Sequence, residues 1–290
     1  MESKSSSGYD EISNRMLKSV KHEIVKSLTL IVNQIINTGI FPDVLKFAKI
    51  IPLHKKGDVN LISNYRPISL LPTISKIVER AIYNQLFIYF TGNNLLSEQQ
   101  YGFRAKHSTE LAAIKLVDYI NKEMDNKHTP VNIYIDLSKA FDTINYEILL
   151  YKLEYYGVTG VPLELLKNDL TNRKSYVQFH VNKSKVEMIS TGVPQGSILG
   201  PLLFSIYFND LIKVTDKLKC MMYADDTTIY FNIEDFPSVA LENSVNLELE
   251  KVNVWLRHNK LSLNTDKTKC IFHKPEKKIN PISFSMNVFQ

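Results

Sequence analysis

The chain has 290 residues, 44% of them hydrophobic, enough for a packed core in one large domain or two small ones. Its 35 lysines and arginines exceed its 30 aspartates and glutamates, a formal charge of +5 that leans toward polyanionic partners without identifying one. The two distant cysteines, Cys220 and Cys270, argue against a disulfide framework or a zinc site and fit a reducing intracellular compartment. The polar start MESKSSSGYDEIS and an apolar stretch broken by Gly200 and Pro201 argue against a signal peptide and a membrane span.

In chain order, Val20, Ile24, Leu28, Ile31 and Ile35 repeat at threes and fours before Gly39, which predicts one amphipathic helix or two over 12–36. Pro52, Gly57, Pro67 and Pro72 then break the pattern, so FAKIIPLHKKGDVNLISNYRPISLLP reads as strands and turns carrying Lys49, Lys55, Lys56 and Arg66. Helices are expected at 75–90 and 108–125, the second capped by Ser108 with Leu111, Ile114, Val117, Ile120 and Met124 as its apolar stripe. VNIYID, ending at Asp136, reads as a strand. A helix at 146–156 stopped by Gly157 follows, then another from Pro162.

SYVQFHV and KVEMIS form an expected hairpin joined at Asn182 and Lys183, followed by the turn TGVPQGSILGP and an apolar helix reaching Leu211. CMMYADDTTIYFN is a second hairpin. Beyond it, Ser238 caps a helix with Leu241, Val245, Leu249, Val252 and Leu256 on one face, and KCIFH is a last strand. This order suits an α+β fold with an antiparallel sheet backed by helices, without internal repeats.

Asp225 and Asp226 stand side by side at the second hairpin's turn. A solvated Asp-Asp turn is the ordinary explanation. Partial burial by Met221, Met222, Tyr223 and Ile229 instead calls for a cation, because adjacent carboxylates repel each other. Asp136 is either a strand-end or N-cap residue or a third oxygen ligand. Three such carboxylates can hold two magnesium ions about 3.5–4 Å apart in phosphoryl-transfer sites. The histidines, His54 and His107 among them, lack metal-ligand spacing, and neither a Ser/His/Asp set nor a Walker-type loop is present.

The ordered blocks NYRPISLLP, QYGFRAKHST, IYIDLSKAFDTI, GVPQGSILGPLLFSIYFNDL and YADDTTIY resemble the reverse transcriptase domain of non-LTR (LINE-type, jockey-like) retrotransposons. The resemblance spans about residues 8–272. It implies one domain over 1–290 with right-hand polymerase architecture: fingers and a helical lead-in at about 10–130, a palm at 131–275, and a truncated end at 276–290 without a thumb. It implies RNA-directed DNA synthesis, with two Mg2+ ions joining a dNTP to a primer 3′-hydroxyl on an RNA template.

By that likeness Asp136, Asp225 and Asp226 are metal ligands, Lys55 (or Lys56 in its place) and Arg66 contact the triphosphate, and Gln195 and Gly196 line the nucleotide pocket, although the lysines also read as solvated surface charge and Gln195 and Gly196 singly as a loop glutamine and a turn glycine. Phe141 matches the steric gate against a 2′-hydroxyl, though it also reads as a core phenylalanine. Arg104 and Lys106 face the template, on whose bases Tyr101 and Phe103 can stack, although such aromatics also build cores. Lys267 matches a lysine that protonates pyrophosphate as general acid, alongside nearby Lys260 and Lys269.

Without a thumb, low processivity is expected. The rival readings are a silent retroelement remnant that only binds nucleic acid, and an RNA-templated RNA polymerase, which Phe141 disfavours. Priming on chromosomal DNA implies nuclear access. The sequence carries no nuclear signal and sets no oligomeric state.

Overall fold

A computed structural model describes residues 6–104, 107–237 and 240–273. Lys106, Ser238 and the 276–290 end therefore lie outside the described residues. Segments up to Leu95 and Ile144–Ile206 form one compact unit, and Leu96–Thr143 with the chain from Tyr207 forms the other.

The first unit opens with helices α1 (Asn14–Ser19) and α2 (Lys21–Thr38), so the first periodic stretch is two helices. Gly39 ends α2 in the left-handed region, φ 72°, which only glycine adopts without cost. Ile35 of the expected stripe is buried, but Ile31 is exposed and Val32 takes its place. Strands β1 (Phe47–His54) and β2 (Tyr65–Leu70) pair antiparallel, and β1 also runs parallel to β4 (Arg173–Phe179). Between β2 and β4 come α3 (Thr73–Gly92), α5 (Tyr146–Tyr155) and α6 (Val161–Leu170), α5 capped by the Asn145 side chain on the Ile148 amide.

The hairpin after β4 departs from expectation. Asn182 and Lys183 are not its turn but a short strand, β5 (Asn182–Lys183), paired with Gln178 and Phe179. The chain reverses one step earlier, at His180 with φ 53°, and β6 (Glu187–Ile189) returns to β4 after an unpaired step. Helix α7 (Gly200–Phe208) ends before Leu211, which lies in a short 3-10 turn.

The second unit is built on a four-stranded antiparallel sheet in the order β7 (Lys219–Tyr223), β8 (Asp226–Asn232), β3 (Pro130–Ile135), β9 (Lys269–Phe272). Val131, Ile133, Ile229 and Phe231 from the two central strands are fully buried. Helix α8 (Leu241–His258) buries Val245, Leu249, Val252 and Leu256, as its spacing predicts.

Helix α4 (Thr109–Asp125) starts at Ser108, whose hydroxyl accepts the Leu111 amide, but of its expected stripe only Ile120 is buried and Met124 half-buried. Leu111, Ile114 and Val117 are exposed, while Ala112 and Ile120 are buried and Leu116 packs on Tyr101 and Met221. Repeated steps of three precess about 60° around a helix of 3.6 residues per turn, so such a series spirals off one face. Mixed steps of three and four keep to it.

Candidate active site

The β7–β8 hairpin positions the carboxylate pair. Tyr223 pairs with Asp226, so Ala224 and Asp225 form a two-residue loop, and Ala224 takes φ 57°. Tight hairpin loops demand such a left-handed residue, which costs a non-glycine about 1–2 kcal/mol. Asp225 is half-buried and Asp226 exposed. Across the sheet the last pair between β3 and β8 is Ile135 with Thr227. The next residues, Asp136 and Asp226, therefore leave adjacent strands at the same end, beside Asp225.

The loop before β9 anchors Asp136 on its other side. The Asn264 amide donates to the Asp136 carbonyl at 2.8 Å, and Lys267 Nζ lies 3.3 Å from Asp136 Oδ2. Lys267, the expected general acid, thus stands against one of the three expected ligand carboxylates. Among the described residues no three Asp, Glu, His or Cys side chains converge into a closed ligand cluster. The donor set is nevertheless all carboxylate oxygen, the chemistry that suits hard Mg2+, and Asp136 already faces a cationic group, the Lys267 ammonium. In donor chemistry the residues present suit the metal.

Phe141 is half-buried in the turn that follows Asp136, outside any helix. Its ring stands edge-on to Phe103, with centroids 6.1 Å apart at 90°. Phe103 is exposed and has φ 60°. Tyr101, by contrast, is buried with Ala112 and Met221, so base stacking is closed to it. Arg104 donates from Nη1 to the Ser97 carbonyl, which ties part of its guanidinium to its own loop.

The remaining expected residues belong to the first unit. Lys55 and Arg66 are exposed at the far end of the β1–β2 hairpin, where the Lys55 amide donates to Asn64 at 2.9 Å. Gln195 and Gly196 lie in the loop before α7, and the Gln195 carbonyl accepts the Ser69 amide of β2 at 2.8 Å. Gly196 has φ 124°, and a Cβ there would stand 2.6 Å from the Ser69 carbonyl oxygen. Close approach to β2 is thus an immediate reason for glycine at this position.

Sequence reasoning missed the groups that hold this loop. Glu79 Oε2 accepts the Ile198 amide at 2.5 Å, and Glu79 shares a fully buried cluster with Asp169 and Arg173. Arg173 donates from Nη2 to Asp169 Oδ1 at 2.6 Å and from Nε to the Asp169 carbonyl at 2.7 Å; its Nη2 is 3.9 Å from Glu79 Oε1. Burial, reinforced by Asp169, pushes the Glu79 carboxyl up to about 7, against the pull of Arg173. A signal existed: Glu79 falls on the face of α3 with Ser75, Val78, Ile82, Leu86 and Phe90, all buried.

Residues 53–282 match the family model described as reverse transcriptase (RNA-dependent DNA polymerase). Similar curated proteins include the RNA-directed DNA polymerase from mobile element jockey of Drosophila melanogaster, 30% identical over 272 residues, which covers 91% of this chain and 29% of that protein. Another is the probable RNA-directed DNA polymerase from transposon BS of the same species, 33% identical over 279 residues and covering 91% and 30%. The chain thus spans about three tenths of the length of these relatives.

Among solved structures, apo telomerase from Candida tropicalis, truncated from its C-terminal domain, superposes with a TM-score of 0.58 at 12% identity, covering 89% of this chain and 56% of that one. Telomerase from Candida albicans, in complex with a TWJ fragment of telomeric RNA, gives 0.56 at 14% identity, covering 94% and 48%. These likenesses carry the fold, an α+β polymerase hand with fingers and palm. Its sequence blocks and the family model agree: the chain belongs to the reverse transcriptase (RNA-dependent DNA polymerase) family.

Proposed function

We propose that the chain is the polymerase portion of a non-LTR retrotransposon protein and joins a dNTP to a primer 3′-hydroxyl on an RNA template. The observation that carries this reading is that Asp136, Asp225 and Asp226 stand at the same end of adjacent strands, with Lys267 against Asp136.

In this reading Asp136, Asp225 and Asp226 hold two Mg2+ ions, which lower the pKa of the attacking hydroxyl and offset phosphate charge when bound. Lys267 hands a proton to the departing pyrophosphate. Lys55 and Arg66 bind the triphosphate, the arginine fork suiting paired phosphate oxygens. Gln195 and Gly196 line the nucleotide pocket, and Phe141, buttressed edge-on by Phe103, crowds a 2′-hydroxyl. Arg104 and Lys106 follow the template backbone. The fingers take in about residues 10–130 and the palm 131–275, and the work is done on chromosomal DNA in the nucleus.

Labelled deoxynucleotide incorporation on poly(rA) with an oligo(dT) primer tests the reading, with magnesium, with chelator, and beside Asp225→Asn. Magnesium-dependent extension lost in the variant supports it. A folded, RNA-binding chain that incorporates nothing overturns it in favour of a silent nucleic-acid-binding remnant.

A further inference from the structure

The segment before Arg104 makes a contact that the polymerase reading does not use. Residues 99–101 lie along β7 as an added parallel edge: the Met222 amide donates to the Gln99 carbonyl at 2.8 Å, and the Tyr101 amide to the Met222 carbonyl at 2.7 Å. This brings the Gln100 side chain, 2% exposed, to the hairpin tip. Gln100 Oε1 accepts the Gly102 amide at 2.8 Å and the Ala224 amide at 3.0 Å, and its Nε2 donates to the Ala224 carbonyl at 3.4 Å.

One buried amide therefore satisfies both backbone groups of Ala224, the left-handed residue that precedes Asp225. Gly102 completes the clasp, because a Cβ there would run into the Ala224 backbone nitrogen. The two-residue loop imposes φ 57° on an alanine, which does not favour it, so the strained turn gains from groups that hold it. A buried glutamine is costly unless its amide is bonded, and the partners named here are all backbone groups of two turns.

We propose that Gln100 is a positioning residue for the polymerase reaction: by clasping Ala224 it sets where the Asp225 carboxylate stands. This rests on the functional reading above for its catalytic consequence, but not for its geometric one. Gln100 spends its amide on the backbone of Gly102 and Ala224. It acts through one residue of backbone, so a loss of the clasp shifts Asp225 without removing a ligand.

Gln100→Met keeps the volume and removes the acceptor and the donor, whereas Gln100→Glu keeps the acceptor oxygen for both amides. Three readouts on the whole chain separate the possibilities: hydrogen exchange of the 219–232 hairpin, Mn2+ binding followed by electron paramagnetic resonance, and steady-state incorporation. In Gln100→Met the hairpin amides should exchange faster than those of α8, and Mn2+ affinity should fall roughly 10-fold, the usual cost of losing a group that orients a ligand. kcat should fall about 100-fold, the scale of an ångström's misplacement, with KM for dNTP unchanged. Gln100→Glu should recover most of the hairpin protection.

Wild-type exchange and Mn2+ affinity in a folded Gln100→Met overturn the proposal even if the wild type polymerises. If the wild type incorporates nothing, the polymerase reading falls, while exchange and Mn2+ binding still decide the role of Gln100. If Gln100→Met does not fold, the wild-type Ala224 amide decides: protection of this turn amide from exchange supports the clasp, and free exchange overturns it.

Discussion

Replacing Arg173 with methionine tests the buried cluster under the Gln195 loop. The guanidinium is 1% exposed and bonds Asp169 twice, at 2.6 and 2.7 Å, with Glu79 Oε1 3.9 Å away. Its loss leaves two buried carboxylates without their shared cation, Lys46 still acting on Asp169 from farther off, a change that destabilises by about 3–5 kcal/mol. That is a large part of the roughly 5–15 kcal/mol that holds a typical domain.

The pH dependence follows from the direction of the shifts. Burial, and then Asp169, holds the folded Glu79 carboxyl at about 7, above its ordinary value of 4.5. A raised carboxyl contributes stability that is fully present below the unfolded pKa and is lost as pH rises through the folded one. Burial also raises Asp169, opposed first by Arg173. Without Arg173 both carboxyls rise further and are protonated over a wider range, so the loss is smaller near pH 5 than near pH 8.

Urea unfolding followed by far-ultraviolet circular dichroism at both pH values measures it. A loss below about 1 kcal/mol at both, within the range of an exposed pair, refutes the cluster's role. An equal loss at both refutes the protonation argument.

Phe141→Ala should raise ribonucleotide incorporation relative to deoxynucleotide, read from the ratio of kcat/KM values, because the ring beside Phe103 no longer fills the space. Gly196→Ala must shift the Ser69 carbonyl and hold a Cβ at φ 124°, so a thermal melt should show a destabilisation of about 1–3 kcal/mol. Lys267→Met removes a pair that is mostly exposed, so stability should change by less than about 1 kcal/mol. Its kcat should fall about 100-fold or more if it is the general acid, read in single-turnover incorporation.

Much of this molecule was legible along the chain. The blocks named the family, and the apolar spacing of α8 and the caps at Ser108 and Gly39 were local signals that survived folding because short-range geometry sets them. YADD marked a hairpin tip because an apolar run before it and a Thr/Ile/Tyr/Phe run after it both read as strands, which require a turn between them. What the chain does not show along its length is which residues meet across it. Gln100 and Ala224 are 124 positions apart, Lys267 and Asp136 131 apart, and the Glu79 contact to Ile198 spans 119. A buried glutamine or arginine reads as surface in sequence, since composition rules place polar side chains in water. Only strand pairing decides that Gln100 lies against the hairpin, and only the packing of α3, α6 and β4 turns three charged residues into an interior cluster. The same limit explains the mistaken stripe of α4, whose buried face was chosen by the partners it packs on.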